Sequence, residues 1–578
     1  MRQPWAVRHR RTILVALLLL ATCTRAAAWL QVRSTPLAQM DQWRQTDMHY
    51  YRQWARAISA GDWASAALPL PMHRWHHDVA ARYWAAHPGE QATLAAARRD
   101  PDEALWARWM RTPRFYQDPL YAYLLAAAER AGGDAATAMI LLQLAGGVVS
   151  IVLIWSLTRQ FFGDAAAAVA GTGAVLYAPF VFYELMLVRD SLIACAGLAI
   201  VWLFERARHR APGWSVLLGV AVGGACLLKS TFLVLGAGLL AWMAAQAIRE
   251  RRRTGILRAA AFVAGCALAT SPAIARNIIV HTAPVALASS GPMTFVAANA
   301  PTALPDVGFG IDADALASFL GSTDGGWRAA WRATIGSRSV PDLLALQWRK
   351  WDLLWHWFEI PNNENFYYAR LQVPALALLP VTFAVCGPLA ALGVILVLAR
   401  RRDAWPLLLL AAAALAPLLL FYVLGRFRVA FAAAVLPFAG YAVVEIAAAA
   451  RAGKYRRLAA LAAAVAVIAL WIDRPLARDQ VLIRTADWIL PWSVEFESRV
   501  YGALDAKDPG RAADAYLEFF RRAPTDAQIV AGGDPRLAAE LADMHAECAQ
   551  ILKAAGRPRE AEAQLLAARH VLDLPIGK

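Results

Sequence analysis

One carboxylate, Asp47, stands among polar and aromatic residues shortly after the first apolar run of the chain. The stretch around it, QWRQTDMHYY at 42–51, places Arg44 before this residue and Tyr50 and Tyr51 after it. A hydroxyl group is a poor nucleophile at neutral pH, and a positioned carboxylate can take its proton as a new bond forms. We therefore predict that Asp47 acts as a general base.

Four cations are predicted to lie at the ends of apolar runs, on the same side of the membrane as Asp47. They are Lys229, Arg276, Arg426 and Arg428. A cation on a membrane span is costly unless it is paired or wet, so each is a candidate for stabilising a developing negative charge. Snorkelling toward lipid headgroups is the alternative for each of them. It is disfavoured for Arg426 and Arg428 together, because the outer span ends are otherwise not enriched in arginine.

A second acidic group lies in YELMLVRDSL at 183–192, which carries Glu184, Arg189 and Asp190. In one interpretation these residues hold two spans together. In the other, Glu184 or Asp190 shapes the acceptor side of a site or orients Arg189. Both interpretations stay open at the level of sequence.

A histidine-rich stretch, HRWHHD at 73–78, contains four potential metal ligands, namely His73, His76, His77 and Asp78. Their spacing fits no metal-binding template. We therefore predict no metal site, and a divalent ion is kept as the minor alternative.

The composition is typical of a multi-pass membrane protein. The chain has 578 residues, of which 59% are hydrophobic and 17% charged, and its mean hydropathy is +0.40. Soluble proteins of this length are less apolar. The net charge of +15 comes from short basic bursts between apolar runs, so it indicates the inner-leaflet surface as a partner rather than nucleic acid. The six cysteines show no disulfide or zinc pattern.

Eleven apolar runs are predicted to span the membrane. They cover 12–30, 136–158, 164–185, 190–205, 213–229, 231–248, 256–274, 372–398, 404–424, 428–450 and 457–472. Basic bursts occur on alternate connections, which places the N-terminus and all of these bursts in the cytoplasm. We therefore predict a multi-pass protein of the cytoplasmic (inner) membrane with an uncleaved first span.

Two long segments, 31–135 and 275–371, are then predicted on the outer side of a transmembrane domain that covers 1–472. The first contains predicted helices at 50–60 and 119–131, and the second of these helices is predicted to lie on the outer surface. Segment 275–371 ends in four tryptophans that are typical of an interfacial belt: Trp348, Trp351, Trp355 and Trp357.

The remaining segment, 473–578, is predicted to be a small helical appendix on the outer or periplasmic side. Residues 541–575 indicate two helices broken at 556–558 and resemble one tetratricopeptide repeat, and 508–527 resembles the second half of another. Two repeats are few for an independent solenoid. We expect this tail to bind a protein partner or to cover the site.

Taken in order, several motifs resemble those of GT-C glycosyltransferases, in the branch that includes the protein O-mannosyltransferases and the lipid A aminoarabinose transferases. The first is WRQTDMHYYRQWARAISAGDW at 43–63, which resembles the start of the first outer loop in that branch. The others are YQDPLYAYLLAAAERAGGD (116–134), YELMLVRDSL (183–192), LLKS (227–230), ARNIIVHTAPVALASSGPMTFVAANAP (275–301) and GRFRVAF (425–431).

Two departures from that branch affect the expected substrate. Met48 follows Asp47 where many relatives have a second acid. Gln117 and Asp118 stand where many relatives have a lysine, which is a phosphate ligand in the aminoarabinose branch.

The resemblance implies an all-α polytopic membrane protein with a GT-C-like bundle of about 11 transmembrane helices. It implies an enzyme that moves a sugar from a polyprenyl-phosphate carrier to a lipid, glycan or protein acceptor on the outer face, with Asp47 as the catalytic base. Tyr50 and Tyr51 would flank the sugar. The carrier phosphate would be bound by Lys229, Arg276, Arg426, Arg428 and Arg44.

Two other functional classes were weighed. A non-enzymatic transporter should show internal repeats and acids at mid-membrane depth, whereas the acids here gather at outer span ends. An assembly scaffold with a partner-binding tail would need neither Asp47 nor an outer arginine cluster. An O-antigen ligase-like or polymerase-like enzyme would keep the fold and change the chemistry.

Overall fold

The computed structural model of the protein describes residues 8–42, 46–208, 210–250, 253–301, 303, 313–322, 326–362, 365–400, 402–475, 496–522, 525–530 and 535–575. These residues form helices and connections, and no β-strand occurs among them. A helix suits a membrane span, because backbone N–H and C=O groups in a bilayer must be hydrogen-bonded within the protein and a helix does so within one segment.

Eleven helices coincide with the predicted spans. They are Arg10–Val32, Ala135–Phe162, Asp164–Leu176, Asp190–Ala207, Pro212–Leu228, Phe232–Glu250, Arg253–Ile279, Phe383–Ala399, Trp405–Leu420, Gly425–Arg451 and Tyr455–Ile472. In the described part of the chain, six helices are long and apolar enough to cross a membrane, and four more are shorter apolar helices. The all-α polytopic architecture is thus confirmed, whereas the number of crossings stays a prediction.

Two predicted spans are interrupted, and the boundaries predicted for them were wrong. The run at 164–185 stops at Leu176, where Tyr177 is extended, and the chain resumes as Ala178–Glu184. The run at 372–398 begins as a span only at Phe383. The two breaks satisfy each other's backbone groups, because Ala178 donates to the carbonyl of Val381 at 2.9 Å and Val381 donates to that of Leu176 at 3.3 Å.

Small residues allow the spans to approach closely. A side chain on Gly219 would meet the carbonyl of Phe262 at 2.0 Å, and one on Gly265 would meet that of Val216 at 2.1 Å. The helices Pro212–Leu228 and Arg253–Ile279 therefore pack backbone against backbone.

The two outer segments share one apolar core. The helices of the first segment are Pro36–Gln42, Asp47–Ser59, Arg74–Ala86, Pro88–Ala96, Pro101–Trp109 and Leu120–Arg130. Those of the second segment are Ser290–Asn299, Ala313–Ser322, Trp327–Thr334, Ile335–Ser337, Val340–Leu354, Phe366–Gln372 and Pro374–Ala377. Trp106 and Val79 of the first segment are buried in one cluster with Phe295 and Leu320 of the second. The predicted helices at 50–60 and 119–131 are confirmed.

The four tryptophans of the predicted belt do not share one environment. Trp348 is exposed, whereas Trp355 is buried against Phe383 and Phe431. Trp351 and Trp357 are half-buried. The four tryptophans therefore do not share a single anchoring role.

The C-terminal part consists of Phe496–Tyr501, Gly502–Asp505, Pro509–Arg522, Asp526–Val530, Pro535–Ala554 and Pro558–Asp573. The predicted break at 556–558 is present, with Gly556 at a φ of +74°. Tyr516, Cys548 and Leu552 form a small separate core. Phe496–Tyr501 lies against Pro36–Gln42, so the tail and the first outer segment lie on the same side. The resemblance to tetratricopeptide repeats stays a prediction.

Candidate active site

Asp47 is the first residue of the helix Asp47–Ser59. Thr46 caps this helix, since its side chain accepts a hydrogen bond from the backbone N–H of His49 at 3.1 Å. A negative charge in the first turn is favourable because the helix dipole is positive there. The local sequence thus places the carboxylate at the start of this helix.

Each oxygen of Asp47 accepts from one described donor. Arg426 donates from Nη1 to Oδ2 at 2.7 Å, and Gln117 donates from Nε2 to Oδ1 at 3.2 Å. The Tyr51 hydroxyl, one turn along the same helix, donates to Gln117 Oε1 at 2.5 Å. The site therefore joins the first outer segment to Arg426, which lies at the start of the helix Gly425–Arg451.

Asp47 keeps its charge although it is largely buried, with 15% of its side chain exposed. Burial acts to raise the pKa of Asp47, but Arg426, His73 and Arg189 outweigh it and hold the pKa below the ordinary aspartate value. A carboxylate that serves as a general base is most effective when no arginine is paired to it, because pairing depresses its pKa. Asp47 departs from this arrangement, because its ion pair with Arg426 is direct.

Two more cations stand close to this pair. Arg189 lies 3.4 Å from Asp118 Oδ2, donates to the carbonyl of Leu228 at 3.1 Å, and lies 5.9 Å from the centre of the Tyr51 ring. The Lys229 ammonium lies 3.8 Å from the centre of the Phe427 ring. In the part of the chain that the structure describes, Lys229 makes no ion pair within 4 Å.

A partly open cavity lies beside Lys229. Asp190, Lys229 and Thr231 provide its polar lining. The rest is apolar and comes from four spans: Ile193, Ala194, Gly197, Phe232, Leu235, Leu410, Ala413, Ala414, Pro417, Phe427 and Ala430. The cavity therefore combines one carboxylate, one cation and one hydroxyl with an apolar lining.

Two predicted phosphate ligands lie elsewhere. Arg276 donates to the carbonyls of Ala64 at 2.6 Å, Ser65 at 2.6 Å and Pro113 at 2.7 Å. It thereby fixes the first outer segment to the end of the helix Arg253–Ile279. The predicted convergence of Arg276, Arg426 and Arg428 is therefore not found.

Arg428 pairs with Glu359 at 2.8 Å and donates to the carbonyl of Phe358 at 2.8 Å. Residues two apart on a helix do not share a face. Arg426 and Arg428 consequently point to different partners, and only Arg426 reaches Asp47.

Glu184, Arg189 and Asp190 do not form one cluster. Glu184 makes a buried ion pair with Arg25 at 2.7 Å, which ties the first span to Ala178–Glu184. Arg189 faces Asp118, and Asp190 lines the cavity. The structural interpretation therefore fits Glu184, and the functional one remains for Arg189 and Asp190.

The two tyrosines after Asp47 are buried. Tyr50 packs against Trp54 and Tyr116, with ring centres 5.8 and 5.9 Å away, and its hydroxyl has no hydrogen-bond partner among the described residues. Tyr51 supports Gln117 as described. Arg44 lies outside the described residues.

The histidines of 73–78 have different surroundings. His76 stacks on Trp75, with ring centres 3.5 Å apart, and His77 lies 2.7 Å from Asp102. Among the residues with a described placement, no three His, Cys, Asp or Glu side chains form a group that could hold a metal ion.

Sequence reasoning did not give roles to Gln117 and Phe427. Gln117 was visible only as a departure from the lysine of related sequences. Phe427 lies between Arg426 and Arg428, and its ring faces both Lys229 and Arg426. Only the tertiary structure shows these contacts.

The comparisons with known proteins bear on this site. Residues 113–275 match the family model for dolichyl-phosphate-mannose-protein mannosyltransferases. The matched segment contains Gln117, Arg189 and Lys229 but neither Asp47 nor Arg426. A comparison with curated protein sequences found no match.

A comparison with solved structures found matches with TM-scores of 0.41 and below. The Archaeoglobus fulgidus oligosaccharyltransferase in the apo form is 14% identical, with 84% of this chain and 58% of that chain covered and a TM-score of 0.41. ArnT from Cupriavidus metallidurans bound to undecaprenyl phosphate is 13% identical, with 91% and 76% covered and a TM-score of 0.31. The chain thus spans about three fifths of the length of the oligosaccharyltransferase.

The family match lies in the region that joins the first outer segment to the cationic end of the cavity. Over residues 113–275 the chain is thus similar to the dolichyl-phosphate-mannose-protein mannosyltransferases, and this similarity accompanies an all-helical membrane architecture.

Proposed function

We propose that the protein transfers a sugar from a polyprenyl-phosphate carrier to an acceptor on the outer face of the membrane, with Asp47 as the general base. One observation carries this proposal. Asp47 forms an ion pair with Arg426, the ring of the adjacent Phe427 faces both Arg426 and Lys229, and Lys229 and Phe427 line one largely apolar cavity.

The cavity supports a lipid-linked donor. Its apolar lining suits a polyprenyl chain, and the Lys229 ammonium at its polar end suits a phosphate. The matched family is named for a dolichyl-phosphate donor, which belongs to this chemical class. A nearby cation would stabilise the charge that develops on the leaving phosphate.

The reaction is a single displacement. The acceptor oxygen bonds to the anomeric carbon, the bond from that carbon to the phosphate oxygen breaks, and its electron pair leaves with the phosphate. The acceptor's proton passes to Asp47. Attack from the face opposite the phosphate inverts the anomeric centre.

The ion pair between Asp47 and Arg426 requires a step before proton transfer. A carboxylate held by an arginine is a weak base because its pKa is depressed. An incoming phosphate would compete with Asp47 for Arg426. Donor binding would then loosen the pair and raise the basicity of Asp47, so we propose that the donor binds before the acceptor.

Asp47→Asn tests the proposal because it keeps the side-chain shape and removes the base. We expect transfer to fall by about 10²–10⁴. Transfer would be followed as release of polyprenyl phosphate from a lipid extract of native membranes. Undecaprenyl phosphate should bind the variant at least as tightly as the wild type, because Arg426 no longer has a carboxylate partner.

Asp41→Asn is the matched control. Asp41 lies in the same outer segment, but its carboxylate lies 3.5 Å from Arg52, whereas that of Asp47 is paired with Arg426. This variant should transfer at the wild-type rate. Near-normal transfer by Asp47→Asn would place the base elsewhere, with Asp190 as the next candidate because it lines the cavity.

A further inference from the structure

Gln117 occupies a defined position between Tyr51 and Asp47. Its Nε2 donates to Asp47 Oδ1 at 3.2 Å, and its Oε1 accepts from the Tyr51 hydroxyl at 2.5 Å. Ionised Asp47 can only accept, so the N–H₂ group of Gln117 must face it, and Oε1 is left to accept from the Tyr51 hydroxyl. Tyr51 is buried and one turn from Asp47 on the same helix, which fixes the direction of this contact.

We infer that Gln117 is a positioning residue that keeps Asp47 oriented and charged after the donor phosphate has taken Arg426, and leaves Oδ2 to accept the proton. The inference rests on the proposed function. The two oxygens of Asp47 have different partners, and only the partner of Oδ2 is a cation that a phosphate can recruit. The neutral amide of Gln117 has no such competitor and stays bound to Oδ1.

A lysine at position 117 would act differently. Its ammonium would add a second full positive charge beside the donor phosphate and beside Asp47. An amide instead orients the carboxylate without competing for the phosphate. In this chain the charge is supplied instead by Lys229 and Arg426. The departure from related sequences therefore has a physical consequence at the base.

Several groups besides Gln117 influence the titration of Asp47. The charged or titratable side chains that act on it or feel it are Arg426, Arg189, His73, Tyr50, Tyr51, Tyr116 and Tyr422. His73 is the one with an ordinary pKa closest to neutrality, and burial lowers its pKa. His73→Gln is therefore included to show that an observed titration belongs to Asp47.

The test uses Gln117→Met in the full-length protein in lipid nanodiscs. Infrared difference spectra against Asp47→Asn report the protonation of Asp47 without any substrate. Gln117 donates a hydrogen bond that favours the charged form of Asp47, and the substitution removes this donor. The midpoint of Asp47 protonation should therefore rise by about one pH unit. The acid limb of the pH–rate profile should move up with it, and turnover should fall about tenfold with unchanged binding of undecaprenyl phosphate.

The matched control is Gln143→Met. Gln143 accepts from the Tyr121 hydroxyl at 2.8 Å, as Gln117 accepts from Tyr51, but it donates to the carbonyls of Glu184 and Met186. Its loss should lower stability and leave the Asp47 midpoint unchanged. Tyr51→Phe should shift the midpoint in the same direction as Gln117→Met and by less, because the amide is then free to turn over.

The inference is overturned if Gln117→Met leaves both the midpoint and the acid limb in place, or if Gln143→Met moves them equally. If Gln117→Met shifts the midpoint but the wild-type protein transfers no sugar, the proposed function is wrong instead. In that outcome the hydrogen bond between Gln117 and Asp47 stands, and its catalytic meaning is lost.

Discussion

At the scale of single residues, the site depends on which arginine reaches which carboxylate. Arg426 and Arg428 are two positions apart on one helix, and they bind Asp47 and Glu359 respectively. The first pair is partly exposed and the second is almost fully buried, with side-chain exposures of 11% and 15% against 2% and 1%. A ligand can therefore recruit Arg426, whereas Arg428 belongs to the packing.

Arg426→Gln should lower the melting temperature most at neutral pH. The pKa of Asp47 is depressed in the folded protein, so the pair stabilises the fold above the unfolded-state pKa of aspartate. That contribution is lost as the pH falls through the folded pKa. The difference in melting temperature from the wild type should accordingly shrink below about pH 4.

Melting curves of detergent-solubilised protein across pH would measure this. Arg56→Gln is the control, because Arg56 is exposed and lies 3.9 Å from Glu129. Its effect should be small at every pH. A destabilisation by Arg426→Gln that does not depend on pH would show that the ion pair is not its cause.

At the scale of helices and loops, buried arginines connect outer segments to span ends. Arg276 binds carbonyls of residues 64, 65 and 113, and Arg428 binds those of the turn that follows Val340–Leu354. Loop carbonyls at the membrane boundary have few other donors, and a guanidinium can satisfy several at once. These arginines therefore attach the outer segments to the ends of the spans.

Arg276→Lys should destabilise the protein without weakening the carrier site. A lysine keeps the charge but cannot serve three carbonyls in the same planar geometry. We expect a lower melting temperature and unchanged affinity of the folded fraction for undecaprenyl phosphate. Lys229→Gln should show the opposite pattern, with near-normal melting and weak binding. If Arg276→Lys alone abolished binding, the structural role given to Arg276 would be wrong.

At the scale of the whole molecule, one side carries the outer segments, the tail and the site. The tail touches the first outer segment through Phe496–Tyr501, and the backbone N–H of Trp357 donates to the carbonyl of Ile472 at the end of the last span. The basic bursts lie at the other ends of the spans. From the positive-inside rule we therefore propose that the site lies on the periplasmic side.

Labelling with a membrane-impermeant maleimide would test this topology. In a variant that lacks the native cysteines, Leu572→Cys lies on an exposed tail position and should react in intact cells. Gly453→Cys, in the basic connection before Tyr455–Ile472, should react only after lysis. Labelling of both or neither in intact cells would contradict the predicted orientation.

The sequence by itself determined the class of the protein and the candidates for its chemistry. Apolar runs of sufficient length predict membrane helices because the bilayer allows few other structures. The isolated Asp47 and the cations Lys229 and Arg426 were identified from residue type and position alone. The helix Asp47–Ser59 also follows from local signals, since Thr46 is a strong N-cap residue.

Only the tertiary structure decided which of these residues meet. Sequence spacing suggested that Arg276 and Arg428 would join Arg426, but helix orientation directs them to carbonyls and to Glu359. It also could not show that Asp47 is paired with Arg426 or that Gln117 bridges Tyr51 to Asp47. Such contacts join residues 66 to about 380 positions apart, and their geometry is set by how the helices pack rather than by any local pattern.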